Sequence, residues 1–254
     1  MVSYNKILEA ITDYLTKCSV TLKGVREQIS GLIRNITDNE EDYNLLMDTI
    51  PHFYRDYWNA KTENMECHLK DYKQTEFSSY TNTGDETSVD MPSTVRILLS
   101  NDLFIDEGVR MAMHNHPNGS SFQSMGDYIT QATYTTKYNV TVSDDGITVS
   151  KMDANLYEVD PMDVMIGMAG FEEERNQHFY NNQEKYGIDK IKKQVQKGKI
   201  TEDEGQEALN RIFSKYINEN IESETERVND MFAYQGIPIS VYHLDIKKAY
   251  EMEA

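Results

Sequence analysis

His114-Asn115-His116-Pro117-Asn118-Gly119-Ser120-Ser121-Phe122-Gln123-Ser124-Met125-Gly126-Asp127 is the stretch whose reading decides the fold. The run just before it, Val109-Arg110-Met111-Ala112-Met113, reads as a strand. Residues two apart on a strand share a face, so His114 and His116 aim their imidazoles the same way at the strand's end. Ser124 reads as a helix N-cap, with a helix over residues 125–136. Asp127 falls on the first turn of that helix. The helix dipole favours a carboxylate there, and it can face back toward the histidines. Strand, loop and helix joined in this way bring two imidazoles and one carboxylate around one point. Three ligands leave a fourth position open, which is the pattern of a catalytic zinc site rather than a closed structural one.

The spacing resembles the signature of the JAMM (MPN+ or JAB) metalloproteases: an upstream Glu, then His-x-His, seven residues, Ser, two residues, Asp. Every spaced element after the Glu is present at His114, His116, Ser124 and Asp127. The sub-pattern His-Asn-His-Pro-x-Gly resembles the RadC-type and phage-encoded prokaryotic branch. The likeness covers about residues 40 to 150. It implies an α/β fold, a mixed β-sheet flanked by helices of the JAMM/MPN, cytidine-deaminase-like kind. It implies Zn2+ held by His114, His116 and Asp127, where zinc lowers the pKa of water toward ~7. The implied activity is metalloprotease or isopeptidase, on a protein or peptide substrate such as a ubiquitin-like protein, its conjugates, a small sulfur-carrier protein or a phage structural protein. A non-catalytic metal-binding module, in phage assembly or a RadC-like role, is the alternative.

The family also uses a Glu on an upstream strand as general base. Glu63 is the first choice here. It opens a strand and shares a face with Met65, Cys67 and Leu69 by alternation. Its setting, Lys61-Thr62-Glu63 followed by Gly84 and Val89, resembles the phage-type branch. Glu76, on the next strand, is the rival, and Glu66 faces the other way. Ser124 carries two readings: a structural N-cap and, by resemblance, a donor to the oxyanion of the tetrahedral intermediate. Asn115 points away from the metal face and is given no catalytic role. His52, His68, His178 and His243 lack ligand spacing. No phosphate-cradling Gly loop and no Gly-x-Ser-x-Gly is present, so nucleotide hydrolysis and serine catalysis have no support.

Outward from the motif, residues 1–58 form an N-terminal helical region. Ile7, Leu8, Ile11, Tyr14, Leu15 and Cys18 recur at helical spacing, as do Val25, Ile29, Leu32, Ile33 and Ile36. A third helix is expected from Thr37, with Glu40 completing a capping box and Pro51 kinking or breaking it. Residues 59–150 form the core. Strands are expected near residues 63–70 and 76–81, and Asp144-Asp145-Gly146 marks a hairpin between residues 138–143 and 147–150. Residues 151–254 are a C-terminal extension. Its first part, 151–170, reads as irregular and methionine-rich. A helical hairpin follows over about 171–236, with the Gly198 turn as its tip and an apolar stripe that must bury against the core. A final strand spans residues 237–244, where Pro238 signals a sheet edge.

Composition narrows the partners. The chain has 254 residues, 39% of them hydrophobic and 27% charged, and a net charge of -18. Such a surface repels phosphate backbones and argues against direct nucleic-acid binding. Cys18 and Cys67 make no disulfide framework and read as reduced core residues, which points to a cytoplasmic protein. No run approaches the ~18 apolar residues that span a membrane, and Met-Val-Ser-Tyr-Asn-Lys lacks a signal-peptide core.

Overall fold

The computed structural model describes residues 26–70, 76–100, 108–117, 120–143, 146–154 and 158–246. The expected helix over 4–17, with Cys18, lies outside them, as do Asn118, Gly119 and the turn residues Asp144 and Asp145. The architecture is mixed α/β: one six-stranded mixed sheet flanked by helices. Its strands are β1 (Asn64–Leu69), β2 (Ser78–Thr83), β3 (Met111–Asn115), β4 (Tyr138–Ser143), β5 (Gly146–Met152) and β6 (Ile239–Asp245), in the order β2-β1-β3-β4-β5-β6. All neighbours are antiparallel except β3 and β4.

That one parallel pair positions the site. Parallel neighbours need a crossover, and the helix Met125–Thr133 supplies it. A crossover must begin where β3 ends, so the helix N-terminus sits at the C-terminal end of β3, beside His114. The helix stops short of residue 136. Thr135 takes a left-handed conformation (φ 46°), and its successor's amide reaches back to the carbonyl of Gln131 at 2.9 Å, closing the last turn.

The two faces of the sheet carry separate cores. On one, α1 (residues 26–36) and α2 (Glu40–Tyr57) cover the odd side of β5 and the even sides of β4 and β6. Ile29, Ile33, Leu46, Ile50 and Phe53 pack there on Met111, Met113, Val140 and Val149. Each such side chain contributes about 1.5–3 kcal/mol by leaving water. Two expectations for α2 are corrected. Its cap is Asn39, whose side chain accepts from the Asp42 amide, rather than Thr37. The helix also runs through Pro51 unbroken. Pro51 is buried among the apolar residues that α2 sets on the sheet, and that packing outweighs the lost backbone hydrogen bond.

The other face carries α3 (Ser93–Leu99), the crossover helix α4 (Met125–Thr133) and the C-terminal extension. The extension is larger than a hairpin: α5 (Pro161–Asn181), α6 (Gln183–Tyr186), α7 (Ile188–Gln196), α8 (Glu202–Glu219) and α9 (Ile221–Gln235). The second half of the stretch expected to be irregular, from residue 161, is instead the start of α5, capped by Asp160 with Pro161 in its first turn. Gly198 does form the turn between α7 and α8, in a left-handed conformation (φ 62°). The expected apolar stripe packs on the core: Tyr216, Ile217, Ile221, Val228 and Phe232 share one buried cluster with Phe122, Tyr128, Ala132, Ile239 and Val241, and Val164, Met168 and Phe171 of α5 join it. Arg175 sits at the junction, over the rings of Phe122, Phe171 and Phe213 at 5.4–5.6 Å. The extension therefore braces the loop that carries the motif. β6 lies at the sheet edge, and Pro238 stands just before it. Among the described residues, no helix is long and apolar enough to cross a membrane.

Candidate metal centre

His114 lies on β3, and its imidazole takes the same face as Ala112, toward α4. His116 follows the strand's end, where its amide still donates to the Val142 carbonyl at 3.0 Å. The three donors converge. The Nε2 atoms of His114 and His116 are 3.1 Å apart. His114 Nε2 is 3.0 Å from Asp127 Oδ1, and His116 Nε2 is 3.6 Å from Asp127 Oδ2. A tetrahedral zinc with ordinary Zn–N and Zn–O bonds sets its ligand atoms about 3.3 Å apart. The observed separations bracket that value, so the donor set fits the metal. Among the described residues this is the one cluster of three such side chains close enough to hold an ion.

Neighbouring groups prepare the donors. The Ser120 carbonyl lies 2.8 Å from His116 Nδ1, so that nitrogen carries the proton and leaves the Nε2 lone pair free. His114 has no such partner among the described residues, since its buried Nδ1 makes no hydrogen bond. Its Nε2 instead faces Asp127 and, at 3.3 Å, the Thr141 hydroxyl. Asp127 is the third residue of α4 and closes a capping box with Ser124. The Ser124 amide and hydroxyl donate to Oδ2 at 2.6 and 2.8 Å, which leaves Oδ1 for His114. Ser124 is thus the N-cap that the sequence predicts, and its hydroxyl is engaged by the carboxylate.

The electrostatics follow from burial and proximity. Burial acts to raise the Asp127 carboxyl, but His114, His116 and Ser124 together hold it well below the usual range. Burial acts to lower His114, yet the charges of Asp127 and Glu63 leave it raised. His116 is lowered, chiefly by burial. Burial pushes Glu63 up to about 7, with Asp127 and Asp85 adding to the rise and His114 opposing it.

Glu63 immediately precedes β1 and lines two adjoining spaces at the site. One, of about 150 Å3, is shared with His114, Asp127, Ala112 and Thr130. The other is an open cleft of about 440 Å3 that also exposes His116, Ser120, Ser124 and Ser88. Glu76 lies at the other end of the β1–β2 hairpin, beyond the Leu69–Ser78 pair, about 20 Å from the site along the strands. It is exposed and lines neither space. Of the two glutamates, Glu63 is the one that lines the space beside His114 and Asp127.

Three features of the site were not read from sequence. Thr141 touches His114 across the β3–β4 pair, and Ser214 of α8 forms part of the cleft wall. Asn115 turns its side chain to the chain on either side of Glu63. All three depend on register or tertiary packing, which local spacing does not encode. Comparison with protein-family models, with curated proteins and with solved structures gives no match.

Proposed function

We propose that the chain is a JAMM-type zinc metallopeptidase that hydrolyses a peptide or isopeptide bond in a protein or peptide substrate. The observation that carries this is the convergence of His114 Nε2, His116 Nε2 and the Asp127 carboxylate, with Glu63 lining the same space. Zinc held by these three would supply Lewis acidity at an open coordination position. Glu63 accepts the proton of the attacking water and passes it to the leaving amine. Burial raises its carboxyl, the direction that suits a group that must both accept and return a proton at neutral pH. Ser124, on the cleft wall, turns its hydroxyl from Asp127 toward the developing oxyanion. The mixed sheet with its strand–loop–helix site is consistent with the JAMM/MPN, cytidine-deaminase-like fold. The reduced buried Cys67 is in keeping with a cytoplasmic setting.

The test is digestion of a complex peptide library by zinc-loaded protein, read by mass spectrometry. The expected result is new termini from the parent and none from Glu63→Gln, which keeps its zinc. No cleavage by the zinc-loaded parent, or equal cleavage by both, overturns the reading. One observation favours a second reading, a non-catalytic metal-binding module: the Ser124 hydroxyl is committed to Asp127. A zinc-binding, folded protein that cleaves nothing in the library would be that module.

A further inference from the structure

We propose that Asn115 is the positioning residue for Glu63, with its side-chain amide standing in for the strand that β1 lacks at this point. The inference rests on the reading of Glu63 as general base and adds the element that aims it.

The hydrogen-bond pattern of the sheet leads to it. In an antiparallel ladder, successive residues turn their N–H and C=O groups to opposite neighbours. At the start of β1, Glu63 turns toward the chain leaving β2: its amide donates to the Asp85 carbonyl at 2.7 Å, and its carbonyl accepts from the Gly84 amide at 2.9 Å. Thr62 and Asn64 therefore turn their groups the other way, toward β3. The β1–β3 pairing, however, ends at Met65–His114. Beyond it His116 turns its amide to β4, donating to Val142, and the position that would face Thr62 is Pro117, which has no N–H to give. The Thr62 carbonyl therefore has no backbone donor on β3, and the Asn64 amide goes to a side chain instead.

Asn115 fills that gap. Its Oδ1 accepts from the Asn64 amide at 2.7 Å, and its Nδ2 donates to the Thr62 carbonyl at 3.0 Å. The orientation is forced, because a backbone N–H needs an acceptor and a backbone C=O needs a donor. The side chain thus reproduces the N–H and C=O pair that one more strand residue would present. Asn115 is fully buried, and its bond to the Asn64 amide is shielded from water. The Asn64 side chain reinforces the arrangement, donating to the Thr62 carbonyl at 2.9 Å and accepting from the Thr83 hydroxyl at 3.1 Å. Glu63 is then held by backbone on one side and by Asn115 on both flanks of the other. Its carboxylate, with the Val89 amide donating to it, is aimed into the site. Asn115 sits between the two histidines, so one residue ties the base's position to the metal ligands' strand.

The test combines hydrogen exchange with cobalt spectroscopy. In the unmodified protein, the Asn64 amide is expected to be as protected as the β1–β3 ladder amides. In Asn115→Ala it is expected to exchange about tenfold faster, while residues 66–68 and 111–113 keep their protection. Co2+ is expected to bind the parent, Asn115→Ala and Glu63→Gln with similar affinity, since neither residue is a ligand. The visible bands of Asn115→Ala are expected to move toward those of Glu63→Gln, which a loss of stability alone would not cause. Fast exchange of Asn64 in the parent, or parent-like exchange and spectrum in Asn115→Ala, overturns the proposal. Should Asn115→Ala fail to fold, the parent's Asn64 exchange still decides it. If the parent binds no Co2+, the metallopeptidase reading falls on its own, and the exchange data show separately whether the clamp exists.

Discussion

Two aspartates sit at matching points on opposite faces of the sheet. Asp42 is the third residue of α2 and Asp127 the third of α4, each three residues after its helix cap. Both are held by a helix start, yet their surroundings differ in kind. Asp42 is fully buried and accepts from Arg110 Nε at 2.6 Å, Lys137 Nζ at 3.0 Å and the Tyr138 hydroxyl at 3.1 Å. Asp38 and Asp153 pair with Lys137 and Lys151 around it, so fixed negative and positive charges balance. Asp127 has only imidazoles and the Ser124 cap, and Glu63 lies close by. Among the described residues no lysine or arginine pairs with either carboxylate. Arg96 lines the smaller space without doing so. The first cluster is closed and neutral, which makes it structural. The second is a pair of carboxyl groups with no fixed cation, facing a cleft, where a divalent cation would be favoured.

The largest effect that would break this contrast is on stability. Asp42→Ala leaves Arg110 and Lys137 without their shared partner and is expected to cost about 3–5 kcal/mol in chemical denaturation. Asp127→Asn should cost less at alkaline pH, where the imidazoles have lost their charge while Arg110 and Lys137 keep theirs. Equal losses would show that the two clusters are the same kind of object. The next effect is stabilisation by metal. Zinc at a hundredfold over its dissociation constant is expected to add about 2.7 kcal/mol to the parent. Asp127→Asn should gain nothing, and Asp42→Ala should still gain.

A pH effect of similar size follows from Glu63. Its carboxyl is raised from 4.5 to about 7 in the folded, metal-free protein. Between those values the native state binds the extra proton, so this group's contribution to stability falls as pH rises through about 7. Glu63→Gln should therefore stabilise the metal-free protein by on the order of 2 kcal/mol at pH 8 and by almost nothing near pH 4. A gain that is the same at both pH values would contradict the burial of that carboxyl. The smallest effect is at the caps. Asn39→Ala and Ser124→Ala should each cost about 1 kcal/mol. Only Ser124→Ala should also weaken zinc binding, because only its partner carboxylate belongs to the proposed metal centre. Titration of both variants with zinc checks the distinction.

How far the sequence disclosed this varies along the chain. The site was legible because its parts are local: a strand, a loop and a capped helix within fourteen residues, where alternation and capping determine which way His114, His116 and Asp127 face. The β4–β5 hairpin and the edge position of β6 were legible for the same reason. Asp42 was not, because Arg110, Lys137 and Tyr138 reach it from distant positions, and their spacing carries no pattern. Pro51 misled because tertiary packing overrode its propensity. The start of α5 was missed because its Met and Gly residues blur the helical period, with Met162, Met165 and Ile166 exposed beside buried Val164 and Met168. Asn115 was placed on the correct strand but given no task, since its partners are set by β1–β3 register.

The most direct test of the central claim is zinc content after equilibrium dialysis, measured in parallel on the parent and on His116→Ala. One zinc per chain in the parent and none in His116→Ala is the predicted result. A zinc-free, folded parent, or equal zinc in both proteins, would contradict it.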